Sequence, residues 1–293
     1  MKAKKKSKAK VKAKAKKPAA ASTSSYWAAV SSTKKTTKQR IDALSRLPAA
    51  LCEDRTKFNE VLAILRDTTQ SSSLRRATLQ IIQSASFSAP NFEVCRPDYL
   101  ATLRALVTDP DLELRQRALG MLAREHDGST QRLLVDGLEE PSRAVVPPEK
   151  ALQLLGYDIH TDVYAIARKI AANPPNEAAR IEALRLLGAD TASVPMFEAM
   201  LQDKKEKVDA RRLAASALQA LVPDKLQGYA RDIVQDETDD DDVKATSLTA
   251  LTDLGHAGTV SDALYQSVDK IRSKSKSTAL KQSARRFIDK YRR

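Results

Sequence analysis

Seven segments of this chain repeat one pattern, and a repeat of this kind restricts the fold more than any other feature of the sequence. The pattern is an aliphatic residue, a basic residue, two variable positions, a small residue and then Leu-type residues. It reads Leu74-Arg75-x-x-Thr78-Leu79-x-x-Ile82 and Leu114-Arg115-x-x-Ala118-Leu119-x-x-Leu122. Ala151-Leu152-x-x-Leu155-Gly156 follows, with Pro147 and Pro148 where the aliphatic and basic residues belong. Next come Ala179-Arg180-x-x-Ala183-Leu184-x-x-Leu187-Gly188, Ala210-Arg211-x-x-Ala214-Ala215-x-x-Leu218 and Val243-Lys244-x-x-Ser247-Leu248-x-x-Leu251. Leu280-Lys281-x-x-Ala284-Arg285-x-x-Ile288 closes the series. The small residue stands at 78, 118, 151, 183, 214, 247 and 284, so the unit recurs every 31–40 residues.

Within each segment the apolar positions fall at i, i+4, i+5 and i+8, which is one face of a helix. Seven residues ahead of the small position stands Ser71, Asp111, Asn176, Asp240 or Ser277 in five of the seven. Their side chains accept the free amides of a first turn. Gly156, Gly188 and Gly255 near the other ends suit left-handed helix termini. Between these helices lies a second apolar face each time, such as Phe58, Val61, Leu62 and Leu65, or Val163, Ile166 and Ile170. Pro97, Pro110, Pro141, Pro174, Pro175 and Pro223 are expected near helix ends, where a missing N–H matters least. Fourteen helices in antiparallel pairs are predicted, with one more near 36–47 built on Gln39, Ile41, Leu44 and Leu47. Eight glycines and 4% aromatics are poor material for a β-sandwich or a nucleotide-binding α/β sheet.

The passage DPDLELRQRALGML (109–122), with AARIEALRLLG (178–188) and DARRLAASALQAL (209–221), resembles the short, bacterial-type HEAT repeats of the armadillo-type α-solenoids. The likeness covers about residues 57–293. It implies an all-α fold, a right-handed α-solenoid of about seven HEAT-like helix pairs. It also implies that the recurring Arg75, Arg115, Arg180, Arg211, Lys244 and Lys281 pair with a turn carboxylate of the neighbouring repeat rather than form a phosphate-binding ladder. The expected organisation is a disordered Lys/Ala-rich tail and linker over 1–33, then a HEAT-repeat body over 34–293 with the capping helix at its start. Arg285 at a Leu position marks the last repeat as a polar cap.

Charge is distributed unevenly. Residues 1–40 carry fourteen basic residues and no acid, and residues 270–293 carry ten against Asp289 alone, which leaves the 229 residues between them at −10 of the total +13. The first segment is low in complexity, resembles the Lys/Ala-rich tails of linker-histone-like proteins, and binds polyanions, if it binds anything, by counterion release. A solubilising tail without a partner is the plain alternative. The candidate nucleic-acid contacts are Lys4, Lys5, Lys6, Lys8, Lys10, Lys12, Lys14, Lys16 and Lys17 in the tail with Arg285, Arg286, Arg292 and Arg293 at the far end. No base-reading motif accompanies them, so phosphate contact without sequence preference is expected.

Other residues point to structure rather than chemistry. His126, His160 and His256 lie in different repeats without partners at metal spacing, and Cys52 and Cys95 are expected to be reduced structural thiols. Six acids in Asp236–Asp242 read as a solvated loop capping the next helix. Trp27 is expected to fold back onto the first repeat. Nucleotide-loop, nucleophile-elbow and zinc-protease motifs are missing, no cofactor or metal is implied, and no apolar run reaches the 18 residues of a membrane span. The reading is a monomeric, intracellular, non-enzymatic scaffold or adaptor that binds an unidentified protein partner through its curved surface. Its tail would attach it to nucleic acid or another polyanion, in the cytoplasm or on the nucleoid or in the nucleus. The alternatives are a nonspecific DNA- or RNA-binding HEAT protein and, less so, a HEAT-like alkylpurine DNA glycosylase or a phycobilin-lyase-type enzyme.

Overall fold

The structure, a computed structural model, describes residues 23–158, 161–255 and 260–291. Among the described residues there are sixteen α-helices and no strand. The chain divides into two compact units, Met1–Leu114 and Arg115–Arg293.

The N-terminal unit holds α1 (Thr23–Ser31), α2 (Thr37–Leu44), α3 (Arg55–Arg66), α4 (Ser72–Ser88), α5 (Phe92–Ala105) and the first residues of α6 (Leu112–Arg124). Local chemistry sets the helix starts. Thr36 and Gln39 close a reciprocal capping box at α2, Asp54 accepts the amides of Thr56 and Lys57 at α3, and Ser71 accepts that of Leu74 at α4. Helix α3 packs on α4 and α5, and α2 on α4. Phe58, Phe92 and Tyr99 meet edge to face, with centroids 6.1 Å and 5.5 Å apart, and tie α3 to α5.

Two expectations fail in this unit. Residues 23–31, expected within the tail and linker, form α1, which packs on α2 and α3 and buries Trp27 and Val30. Lys57 Nζ stands 5.8 Å from the centroid of the Trp27 ring, so the tryptophan does fold back onto the first repeat. Pro97 lies inside α5 rather than at its end. The helix starts earlier than expected, because burial of Phe92 and Cys95 holds an opening turn that Pro97, lacking an amide, cannot by itself support.

Beyond α6 the C-terminal unit continues with α7 (Gly128–Glu139), α8 (Pro148–Leu155), α9 (Thr161–Ala172), α10 (Glu177–Leu187), α11 (Val194–Gln202) and α12 (Val208–Leu221). Four more follow: α13 (Pro223–Gln235), α14 (Asp241–Leu254), α15 (Asp262–Lys274) and α16 (Thr278–Lys290). Each odd helix packs on the even helix that follows it. The pairs then stack like on like: α8 on α10, α10 on α12, α12 on α14, α14 on α16, with α7 on α9 and α13 on α15. That is the packing of a helical repeat array, in which apolar seams are shared between neighbouring pairs. The last seam joins Val234 of α13, Leu248 and Leu251 of α14, Leu264 and Val268 of α15, and Leu280, Phe287 and Ile288 of α16.

Pro147 and Pro148 do not break a helix; they start α8, with Pro148 in its first turn, and shorten it to eight residues. The chain after α7 folds back so closely that a Cβ on Gly137 would lie 2.9 Å from Ala144 Cα, which requires glycine there. None of the C-terminal glycines is left-handed: Gly156, Gly188 and Gly255 have φ of −64°, −59° and −74°. Among described residues the one positive φ outside glycine is His126, at 53° after α6. Gly255 serves instead for close approach, since the Tyr291 hydroxyl donates to its carbonyl at 2.6 Å.

The small position of the repeat is buried in every pair. Thr78 satisfies its hydroxyl by donating to Leu74 O at 2.7 Å, whereas the Ser247 hydroxyl, fully buried on α14, has no hydrogen-bond partner among the described residues. Five repeats carry Ala at this position. Ser247→Ala is therefore expected to raise stability by about 1 kcal/mol, read as a higher urea midpoint with an unchanged slope. A lowered midpoint would show that the hydroxyl is satisfied.

Candidate anion-binding cleft

A basic residue stands three positions before the small residue in six of the seven repeats. In three repeats it meets an acid in the turn joining the two helices of the next pair. Arg75 of α4 donates through Nε to Leu65 O at 2.9 Å and through both terminal nitrogens to Asp109, between α5 and α6. Arg211 of α12 repeats the arrangement, donating to Leu201 O at 3.0 Å and to both oxygens of Asp239 at 2.6 and 2.8 Å. Arg180 of α10 takes Glu206 at 2.8 and 2.6 Å. The guanidinium fork suits this double duty, because its five donors are fixed in one plane. Arg211 is only 2% exposed, so its pairing with Asp239 is obligatory.

Protonation follows the geometry. Burial pushes the Asp239 carboxyl up, but the Arg211 hydrogen bonds and the Asp240 amide outweigh it and hold the group below the usual carboxylate range. Hydrogen bonding from Arg180 lowers Glu206 against a smaller effect of burial.

Two members of the series lack their acid. In the turn before α8 the position that holds Asp239 and Glu206 elsewhere is Arg143, and the buried Arg115 Nε has no partner among the described residues. Opposite Lys244 of α14 the turn between α15 and α16 reads Ser275-Lys276-Ser277 where Asp239 and Glu206 stand in the preceding pairs. Lys244 is 5% exposed, and its ammonium donates to Glu237 O at 3.1 Å. Among the described residues it forms no ion pair, and a single neutral carbonyl leaves two of its three donors open.

Lys244 borders a cleft of about 230 Å³ between the last two pairs, lined by residues of α13, α14, α15 and α16. Lys270 and Lys274 of α15 stand beside it with Ser267 and Ser275, while Val234, Ile271 and Leu280 supply an apolar side. Glu237 and Asp241 complete the lining. Lys270 pairs with Glu237 at the solvent-exposed rim, and that hydrogen bond holds the Glu237 carboxyl below its ordinary range.

The expected nucleic-acid contacts are not gathered here. Arg285 and Arg286 are exposed on α16, while Lys4, Lys5, Lys6, Lys8, Lys10, Lys12, Lys14, Lys16, Lys17, Arg292 and Arg293 lie outside the described residues. The acidic run is used within the fold: Asp240 caps α14, Asp239 holds Arg211, Asp236 takes Lys204 and Glu237 takes Lys270. His126 Nδ1 lies 3.3 Å from Asp158, and His160 and His256 are outside the described residues. No cluster of His, Cys, Asp and Glu suited to a metal occurs among the described residues. Cys52 and Cys95, 43 residues apart, are brought together; burial first and the neighbouring thiol second push Cys52 up to about 12. Lys270 and Ser275 are not among the residues expected from the sequence, although Lys276, which stands where the preceding turns carry acids, is visible there.

No protein-family model and no curated protein matches the chain. A solved structure of human deoxyhypusine hydroxylase in complex with glycerol matches 81% of this chain and 96% of that one, at 16% identity and a TM-score of 0.34. That protein is an enzyme. The expectation of a non-enzymatic scaffold is corrected on this point, and the nucleic-acid and glycosylase or lyase alternatives fit no better. Missing motifs do not establish missing activity, because function on a fold is set by its site. At this similarity no chemistry transfers from that enzyme to this chain. No helix among the described residues is long and apolar enough to cross a membrane.

Two outcomes follow from the pairing. Asp239→Ala leaves Arg211 buried and unpaired and is expected to cost about 3–5 kcal/mol. The folded-state carboxyl is lowered, so its contribution is full above the unfolded value of about 4 and is lost as pH falls through the folded one. Urea melts should show the wild-type advantage over the variant at neutral pH and its progressive loss as pH is lowered below the unfolded value of about 4; a gap that ignores pH would refute the ionic origin. Cys52 and Cys95 should resist a thiol reagent in the native protein and react fully in denaturant.

Proposed function

We propose that the C-terminal unit binds a small anionic ligand in the cleft beside Lys244, and that recognition of this ligand is what the chain does. The observation that carries the reading is the buried ammonium of Lys244 with no carboxylate in contact, its charged neighbour Glu237 being paired with Lys270, in a series where Arg75, Arg180 and Arg211 each hold an acid directly. A buried charge held by one carbonyl and only a distant carboxylate is less stabilised than a paired one. An anion delivered by a ligand restores the missing partner. Lys270 and Lys274 border the same space, so the ligand's charge meets more than one cation. The surrounding sequence, with ten basic residues and one acid over 270–293, draws anions towards this end of the chain by long-range attraction.

The reading is tested by ligand-linked stability. With the full-length protein at constant ionic strength, increasing formate or acetate in place of chloride should raise the melting temperature, linearly in the logarithm of concentration once it exceeds Kd. A concentration about a hundred times Kd corresponds to about 2.7 kcal/mol. Lys244→Met keeps the length of the side chain and removes the charge. It should melt no lower than wild type without ligand and should lose the anion response. Identical curves for the two proteins, or no response to any anion, would refute the proposal.

A further inference from the structure

The cleft also specifies what kind of anion it takes, and this step rests on the anion-binding reading above. We infer that the occupant is an amphipathic monoanion, a single carboxylate carried on an apolar body about the size of one ring.

Charge fixes the first half of the statement. Lys244, Lys270 and Lys274 face the cleft together with the carboxylates Glu237 and Asp241. Three cations against two anions leave one positive charge to be matched. A dianionic phosphate would overshoot it and place negative charge beside Glu237 and Asp241, whereas a carboxylate balances it. Donor count agrees. A carboxylate accepts about four hydrogen bonds through two oxygens, and Lys244, with one of its three N–H groups on Glu237 O, and Lys274 both line the cleft.

Size and lining fix the second half. A cavity of about 150 Å³ lined by aliphatic side chains accommodates benzene. The 230 Å³ here exceed that and leave room for a charged head. Alongside the lysines part of the lining is apolar, with Ile271 between Lys270 and Lys274 on α15, Val234 on α13 and Leu280 on α16. Val234 and Leu280 are buried members of the last seam, and Ile271 packs against that seam only partly buried, so it keeps apolar surface turned to the cleft. A bare oxyanion would leave Ile271 wet; a ring or short alkyl chain covers it.

The experiment is calorimetric titration of the full-length protein at fixed ionic strength with four probes: benzoate, acetate, inorganic phosphate and benzyl alcohol. Benzoate should bind about tenfold or more tightly than acetate, the gain expected for burying part of one ring. Phosphate should bind more weakly than benzoate, and benzyl alcohol should give no heat of binding. Ile271→Asn should bring benzoate to the level of acetate without weakening acetate, while Lys244→Met should lose both. Circular dichroism confirms that each variant is folded. Phosphate or acetate binding as tightly as benzoate would overturn the amphipathic assignment while leaving an anion site in place. Absence of binding by every anion would overturn the anion reading itself. Benzyl alcohol binding as tightly as benzoate would show an apolar cleft in which the charge of Lys244 plays no part.

Discussion

A guanidinium buried between stacked helix pairs has to be neutralised where it lies, and much of this chain's organisation answers that demand. Arg75 with Asp109 and Arg211 with Asp239 are almost fully enclosed, and each guanidinium also holds the carbonyl of Leu65 or Leu201 at the end of the preceding helix. One side chain thus joins its own helix, the helix before it and the turn of the next pair. The apolar seams supply most of the attraction between pairs, but they are tolerant of small slips, since Leu, Val and Ala fit one another in many ways. A bidentate ion pair is not tolerant. Shifting one pair past the next would leave a charge buried without its counter-ion, at a cost near that of whole-domain stability.

How much of this is legible in the sequence depends on the range of the interaction. Helix faces and caps are local, so the spacing of Leu119 and Leu122 after Ala118, or Ser277 ahead of Leu280, gives the helices and their starts directly. Pairing of the basic residue with a turn acid is also legible, because the repeat brings the same two positions together each time. Features that depend on one particular contact are not. Trp27 belongs to a helix because it finds α3, and Gly255 is small because Tyr291 approaches it, not because the helix end turns left-handed. The meeting of Cys52 and Cys95 has no counterpart elsewhere in the chain that could announce it.

The candidate site lies between these cases. A cleft cannot be read from sequence, but a vacancy in a series can. Writing the turns one under another places Lys276 where Asp239 and Glu206 stand, and the lysine that should have met the acid is Lys244. Enzyme and cofactor motifs register the presence of residues, whereas this site is marked by a residue that the pattern calls for and the chain lacks. A motif search is blind to it for that reason, and the same blindness undoes the inference from missing motifs to a chain without catalysis.

The identity of the unpaired residue carries a further consequence. An arginine at position 244 would present a rigid fork built to grip a planar partner in one orientation, and with no acid in the next turn several donors would stay buried and unmet. Arg115 shows that outcome in part, with an Nε left without an acceptor. Lysine has a single nitrogen on a flexible stem. It can anchor one donor on the Glu237 carbonyl and direct the others elsewhere, towards the space that Lys270 and Lys274 also border. The exchange of Arg for Lys and the loss of the turn acid therefore belong together: the first lets the charge turn away from the structural pairing, and the second frees it to meet a partner from solution.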